Sequence, residues 1–236
     1  MNNDMCLKGG INMHDKRLVI VIGHYGSGKT EFSVNYAVQL KKHYENVSIA
    51  DLDIVNPYFR SREKRKYFEE IGIKVYDSSI RNTAVDLPAL PAEMMGVIQN
   101  QNEKSVIDVG GDPVGARVLA RYADQIKTVE YDMFYVINGN RPETRTAEDT
   151  IKYLRMIEST SGLKVTGLIN NTHMLKDTTV EDVEFGHELT KKVSWETDIP
   201  IRYEAAMNSV ALKITNKEIL EKIFPINLYM REEWMS

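Results

Sequence analysis

Leu18-Val19-Ile20-Val21-Ile22-Gly23-His24-Tyr25-Gly26-Ser27-Gly28-Lys29-Thr30 is the stretch that decides the fold. The apolar run Leu18–Ile22, β-branched after its first residue, reads as a buried strand. The eight residues that follow match G-x-x-x-x-G-K-[ST] throughout, and an amphipathic stretch from about Lys29 to His43 reads as a helix. Chance gives such a match in roughly 1% of chains this long. Strand, glycine-rich turn and helix are the context the motif requires. Glycines let the backbone curl so that successive N–H groups point at one anion. The positive end of the helix adds to that field. Gly23, His24, Tyr25, Gly26, Ser27, Gly28, Lys29 and Thr30 are therefore candidate nucleotide contacts. Lys29 is expected to reach the β- and γ-phosphates, and the Thr30 hydroxyl to coordinate Mg²⁺. The competing account is a glycine-rich turn that binds nothing.

Outward from this turn the chain alternates short β-branched runs with longer amphipathic stretches. Strands are expected at Val47–Ala50, Ile73–Tyr76, Ser105–Ile107, Met133–Ile137, Lys164–Ile169 and Ile199–Tyr203, seven in all with the first. Helices are expected over Pro57–Glu70 and near 91–101, 114–123, 143–160 and 179–195. The alternation implies βαβ crossovers and an α/β fold: a mostly parallel sheet covered by helices, in three layers. Such sheets bind ligands at the carboxyl ends of their strands. Residues 1–16 read as a loose tail, 17–225 as one nucleotide-binding domain, and 226–236 as a short tail. Asn216–Phe224 reads as a last helical stretch stopped by Pro225.

Two strands run into acidic loops, Asp51-Leu52-Asp53 and Asp108-Val109-Gly110-Gly111-Asp112. Asp108 has the form of a strand-end aspartate that holds a phosphate-loop Mg²⁺. Gly110 and Gly111 let a backbone N–H approach the γ-phosphate, which makes that loop sensitive to its presence. Asp53 is the candidate for orienting an attacking water, with Asp51 beside it. Aspartates also end strands and open turns without any chemistry.

The order of phosphate loop, D-x-D after strand two and D-x-G-G after strand four resembles the MinD/ParA/nitrogenase iron protein (SIMIBI) class of P-loop ATPases. Within it the chain resembles a bacterial group of ATP-binding proteins, through GHYGSGKTEF, ADLDIVNPYFRSRE, VIDVGGDPVGARVLARY, NRPETRTAED and GLINNTH. The resemblance spans about Arg17 to Ala206 and implies that Asp53 is the water-orienting or switch residue. Dimerising members carry a lysine at the second loop position, where this chain has His24. The resemblance therefore carries nucleotide binding but leaves a homodimer open.

Gly167-Leu168-Ile169-Asn170-Asn171-Thr172-His173-Met174 follows strand six, where guanine-specific relatives have N-K-x-D. Three residues beyond Asn171 stands Met174, which cannot accept from guanine's N1–H and amine as an aspartate does. Asn171 is the base-contact candidate and ATP the expected nucleotide, although asparagines also fill ordinary turns. Asn140-Arg141-Pro142-Glu143 mimics N-K-x-D one strand too early. Arg60, Arg62, Lys64, Arg65 and Lys66 form a basic run that reads first as a solvated helix face. An arginine there, or Arg117, Arg121, Arg141 or Arg145, is the phosphate-contacting alternative, and sequence does not choose among them.

Composition narrows the classes further. The 236 residues are 42% hydrophobic and 27% charged, enough for a sizeable core. Thirty basic against 34 acidic side chains leave a net charge of −4, which argues against bulk electrostatic binding of nucleic acid. One cysteine, Cys6, excludes an internal disulfide framework and fits a reducing, cytoplasmic setting. No apolar run reaches transmembrane length. The five histidines lack metal-ligand spacing. The expected function is a Mg²⁺-dependent ATP-binding protein and slow ATPase. It would switch segments near 53–62 and 110–117 for a protein or metabolite partner that the sequence does not identify. A small-molecule kinase and a non-catalytic nucleotide-binding module are the alternatives.

Overall fold

The computed structural model describes residues 10–53, 62–77, 92–111 and 113–230. Eight strands form one sheet: β1 (Leu18–Gly23), β2 (Val47–Asp51), β3 (Ile73–Asp77), β4 (Lys104–Asp108), β5 (Tyr131–Ile137), β6 (Gly167–Asn170), β7 (Ile201–Met207) and β8 (Ile223–Ile226). Their order is β3-β2-β4-β1-β5-β6-β7-β8, and every adjacent pair is parallel. The α/β expectation holds, with one strand more than the seven read from sequence.

Period-two alternation along β1 explains the layers. Leu18, Ile20 and Ile22 face a core built with α3 (Ala92–Gln99), α4 (Pro113–Ala120), α5 (Ala123–Ile126), α6 (Ala147–Ser161) and α7 (Val180–Thr197). Val19 and Val21 face the opposite core with Phe32, Tyr36 and Leu40 of α1 (Lys29–Lys41) and Phe68 of α2 (Arg62–Glu70). All six β1 residues are buried. A strand covered on both faces needs a continuous apolar run rather than an alternating one.

Strand order puts a switch point at β1. The crossover from β1 through α1 leads to one side, past β4 to β2. The crossover from β4 leads back past β1 to β5. The carboxyl ends of β1 and β4 therefore open into a crevice where connections diverge, the usual ligand site of open α/β sheets.

Local chemistry sets the element ends. The helix expected from 143 begins at Ala147, because Thr146 caps it by accepting from the Asp149 amide, after a 3₁₀ turn at Pro142–Thr144. Helix α7 starts with a reciprocal capping box between Thr179 and Asp182. The expected final helix over Asn216–Phe224 is corrected. Past α8 (Asn208–Ala211), only Lys217–Leu220 (α9) of that stretch is helical, and Ile223–Ile226 is β8, paired along Glu204–Met207. Pro225 fits there because β8 is an edge strand, where the missing N–H faces no neighbour. Of segment 1–16, residues 1–9 lie outside the described residues, whereas Asp15 is buried and accepts from Tyr36 Oη at 2.7 Å.

Candidate functional site

The turn between β1 and α1 is held by two glycines with left-handed backbone, Gly26 (φ +75°) and Gly28 (φ +79°). Gly28 occupies the N-cap of α1 without any side-chain cap bond, so the first amides of the helix face the crevice. Neighbours crowd both glycines. A Cβ at Gly28 would lie 2.4 Å from Asn171 Nδ2, and one at Gly26 would lie 2.8 Å from Arg141 Nε. At Gly23 a Cβ would fall 2.5 Å from the Val136 carbonyl, so this glycine lets β1 and β5 close together beneath the loop. The Ser27 hydroxyl is fully buried and finds no hydrogen-bond partner among the described residues. Such an orphan fits a loop built around an anion.

Asp108 ends β4 directly below this turn with no exposed surface. Its Oδ2 accepts from Thr30 Oγ1 at 2.6 Å, and its Oδ1 from Ser33 Oγ at 3.0 Å. Burial pushes the carboxyl up to about 6, while Lys29 and the two hydroxyls pull the other way. Burial therefore outweighs Lys29 and the two hydroxyls, and the charged form is disfavoured on balance. A divalent cation against Asp108 and Thr30 would reverse that penalty. These are hard oxygen donors of the kind Mg²⁺ takes, one or two from protein with the remainder from phosphate and water. Among the described residues no group of three or more His, Cys, Asp or Glu side chains is placed to hold a metal.

Lys29, Thr30, Tyr25, Gly26, Gly28, Asp53 and Asn171 line one cleft, which encloses about 980 Å³ including its solvent-open mouth. Gly111 packs on the loop from the side. A Cβ there would be 2.6 Å from Lys29 Nζ and 2.7 Å from the Tyr25 nitrogen. Asp53 is buried, and its amide donates to Asp51 Oδ1 at 2.8 Å, so Asp51 shapes the turn that holds Asp53 at the cleft. Asn171 Nδ2 donates to the Ser27 carbonyl at 2.8 Å, tying the loop after β6 to the phosphate loop. The His24 ring stands edge-on to Tyr153 at 4.8 Å between centroids, and Tyr153 Oη donates to the Gly111 carbonyl at 2.7 Å.

Residues 54–61 and 112 lie outside the described residues, and with them Arg60 and most of the segment expected to switch. Arg65 pairs with Glu69 at 2.9 Å and Lys66 with Glu70 at 3.5 Å, both along one helix face toward solvent. Arg117 and Arg121 are exposed. Among the arginines weighed, Arg141 lines the cleft and donates from Nε to the Gly26 carbonyl at 3.0 Å. Two neighbours escaped the sequence reading. Ser33, one turn beyond Lys29, shares Asp108; the i+4 spacing was the available signal. Asn138 donates to the Gly26 and His173 carbonyls at 3.3 and 3.4 Å and accepts from the His173 amide at 3.3 Å. Only its place at the end of β5 hinted at it.

No protein-family model matches this chain, and no curated protein does. Solved structures do share its fold. The cell division protein FtsY of Thermotoga maritima superposes with a TM-score of 0.53 at 17% identity, over 96% of this chain and 70% of that one. Chloroplast FtsY of Physcomitrella patens gives 0.54 at 17%, over 84% and 60%. The signal recognition particle receptor FtsY of Elizabethkingia anophelis, in complex with GDP, gives 0.50 at 17%, over 81% and 58%. This chain thus spans between 58% and 70% of the length of these proteins. At such identity the likeness establishes the fold alone, an α/β architecture with a parallel sheet between helices.

Proposed function

We propose that this chain binds Mg²⁺–ATP at the crevice above β1 and β4, hydrolyses it slowly, and changes shape with the γ-phosphate. One observation carries the reading. Left-handed glycines, an uncapped helix start, Lys29 and Thr30 converge on a single cleft, with Asp108 buried behind Thr30 and bonded to its hydroxyl. Loop amides and Lys29 would bind the phosphate chain and hold charge that builds on the transferring group. Mg²⁺, when bound, would neutralise charge shared between the β- and γ-phosphates, with Thr30 and Asp108 as its protein ligands. Asp53, which lines the same cleft, would orient the attacking water. Gly111, packed on Lys29 and Tyr25, would report the γ-phosphate to α4, which begins two residues later.

Adenine is favoured by the resemblance to the MinD/ParA class and by Met174, which is exposed and offers no carboxylate to guanine. The GDP complex of Elizabethkingia FtsY makes guanine the second reading. A thermal-shift panel of ATP, ADP and GTP with and without Mg²⁺, followed by phosphate release, separates them. The largest shift is expected with Mg²⁺–ATP, and phosphate release on the scale of minutes or slower. Stabilisation by GTP alone would overturn the base assignment, and binding without phosphate release would leave a non-catalytic module.

A further inference from the structure

After β8 the chain turns back across α1, and its contacts there are specific. Asn35, on the second turn of α1, makes a two-way bond with Asn227: its Nδ2 donates to the Asn227 carbonyl and its Oδ1 accepts from the Asn227 amide, both at 2.8 Å. One turn earlier, the Glu31 carboxylate accepts from the amides of Tyr229 and Met230, the latter at 3.3 Å. Glu31 follows Thr30 directly, so the clamp grips the turn of helix that carries the phosphate loop. The Tyr229 ring lies 6.0 Å from that of Tyr67 and 6.2 Å from that of Phe68, on the helix that follows Asp53 in the chain.

Alternate side chains have different fates. Tyr229 packs on the core without reaching the cleft, Met230 touches both, and Leu228 and Met230 line the cleft with Met207, Ile226 and Leu175. Met207 and Ile226 end β7 and β8, and Leu175 follows β6, on the side of β1 where Asn171 stands, whereas Asp108 ends β4 on the other side of β1. A triphosphate has no use for apolar walls, whereas the flat ring of a nucleobase gains from burial against them.

Resting on the nucleotide reading above, we propose that residues 227–230 form a strap, clamped to α1 by Glu31 and Asn35, whose Leu228 and Met230 wall the base end of the cleft and set affinity for the base rather than for the phosphates. The strap also joins α1 to α2, so base occupancy is felt by the helix after Asp53.

The test compares two probes, ATP and inorganic tripolyphosphate, by calorimetry with Mg²⁺ on the full chain. Leu228→Ala/Met230→Ala is expected to raise the Kd for ATP about tenfold while that for tripolyphosphate stays within about twofold. Asn35→Ala, which keeps both wall residues but loosens the clamp, is expected to move ATP in the same direction by a smaller factor. Thermal melts establish that each variant is folded. An unchanged ATP affinity in either variant overturns the strap's role, as does parallel weakening of both probes. A parent protein that takes up ATP but no tripolyphosphate assigns the affinity to the nucleoside end, and the loss of ATP affinity in the two variants then supports the strap while its absence overturns it. Capture of neither probe by the parent sinks the nucleotide reading itself.

Discussion

Asp108 shows why a residue's surroundings matter more than its type. A carboxylate with no solvent contact is costly unless hydroxyls, Lys29 or a cation answer its charge, and Thr30, Ser33 and Lys29 do so here. Asp108→Asn keeps the shape and removes the charge. We expect the gain in ATP affinity that Mg²⁺ gives the parent, read by calorimetry, to vanish in this variant, while ATP still binds without the metal. Persistent Mg²⁺ enhancement would remove Asp108 from the metal site. Gly28 is constrained by geometry instead. Its left-handed φ and the 2.4 Å that would separate an added methyl from Asn171 Nδ2 leave no room for alanine. Gly28→Ala should lower stability by about 1–3 kcal/mol, visible in a denaturant melt, and weaken ATP binding with it. The glycines and Lys29-Thr30 were readable because a phosphate loop compresses its chemistry into eight adjacent residues. Ser33 and Asn138 were not, and Arg141 was only one of several arginines weighed, because their partners stand up to 115 positions away in the chain.

Among elements, β6, β7, α7 and α9 are joined by one polar network centred on buried His187 and Glu204. His187 of α7 bonds Glu204 Oε1 of β7 at 2.7 Å and Glu218 Oε2 of α9 at 3.2 Å, and Glu204 also accepts from Asn170 Nδ2 at 2.7 Å. The hydrogen bond to Glu204 holds the imidazole above its usual range, against the opposing effect of burial. A histidine raised in the folded state contributes stability that is complete below its unfolded value near 6.5. That contribution is lost as pH rises through the folded value. His187→Gln should therefore cost most stability at about pH 6, with the deficit shrinking toward pH 9. Equal deficits at both pH values would show that the imidazole is held neutral. The strands of this layer were legible as apolar runs, since a covered parallel sheet leaves little room for polar residues. Strand β8 was missed because Pro225 reads as a helix stop, and only its edge position in the sheet makes proline acceptable. The strap was invisible for a related reason: Glu31 and Asn35 look like ordinary helix polar residues until Asn227–Met230 is folded onto them.

At the scale of the whole molecule, the switch in strand order at β1 gathers loops distant in sequence onto one sheet edge. The phosphate loop, Asp53, Asp108 and Asn171 come from four different strand ends, and parallel pairing points all four the same way. No helix among the described residues is long and apolar enough to cross a membrane. Every functional role assigned to this chain depends on whether that shared edge captures a triphosphate through Lys29. Calorimetric titration of Mg²⁺–ATP into the parent and into Lys29→Ala decides it. We predict saturable one-to-one binding by the parent and a Kd raised roughly 10- to 100-fold in the variant, the worth of one charge-assisted contact. Equal affinities in the two proteins, or no uptake by the parent at millimolar ATP, would contradict it.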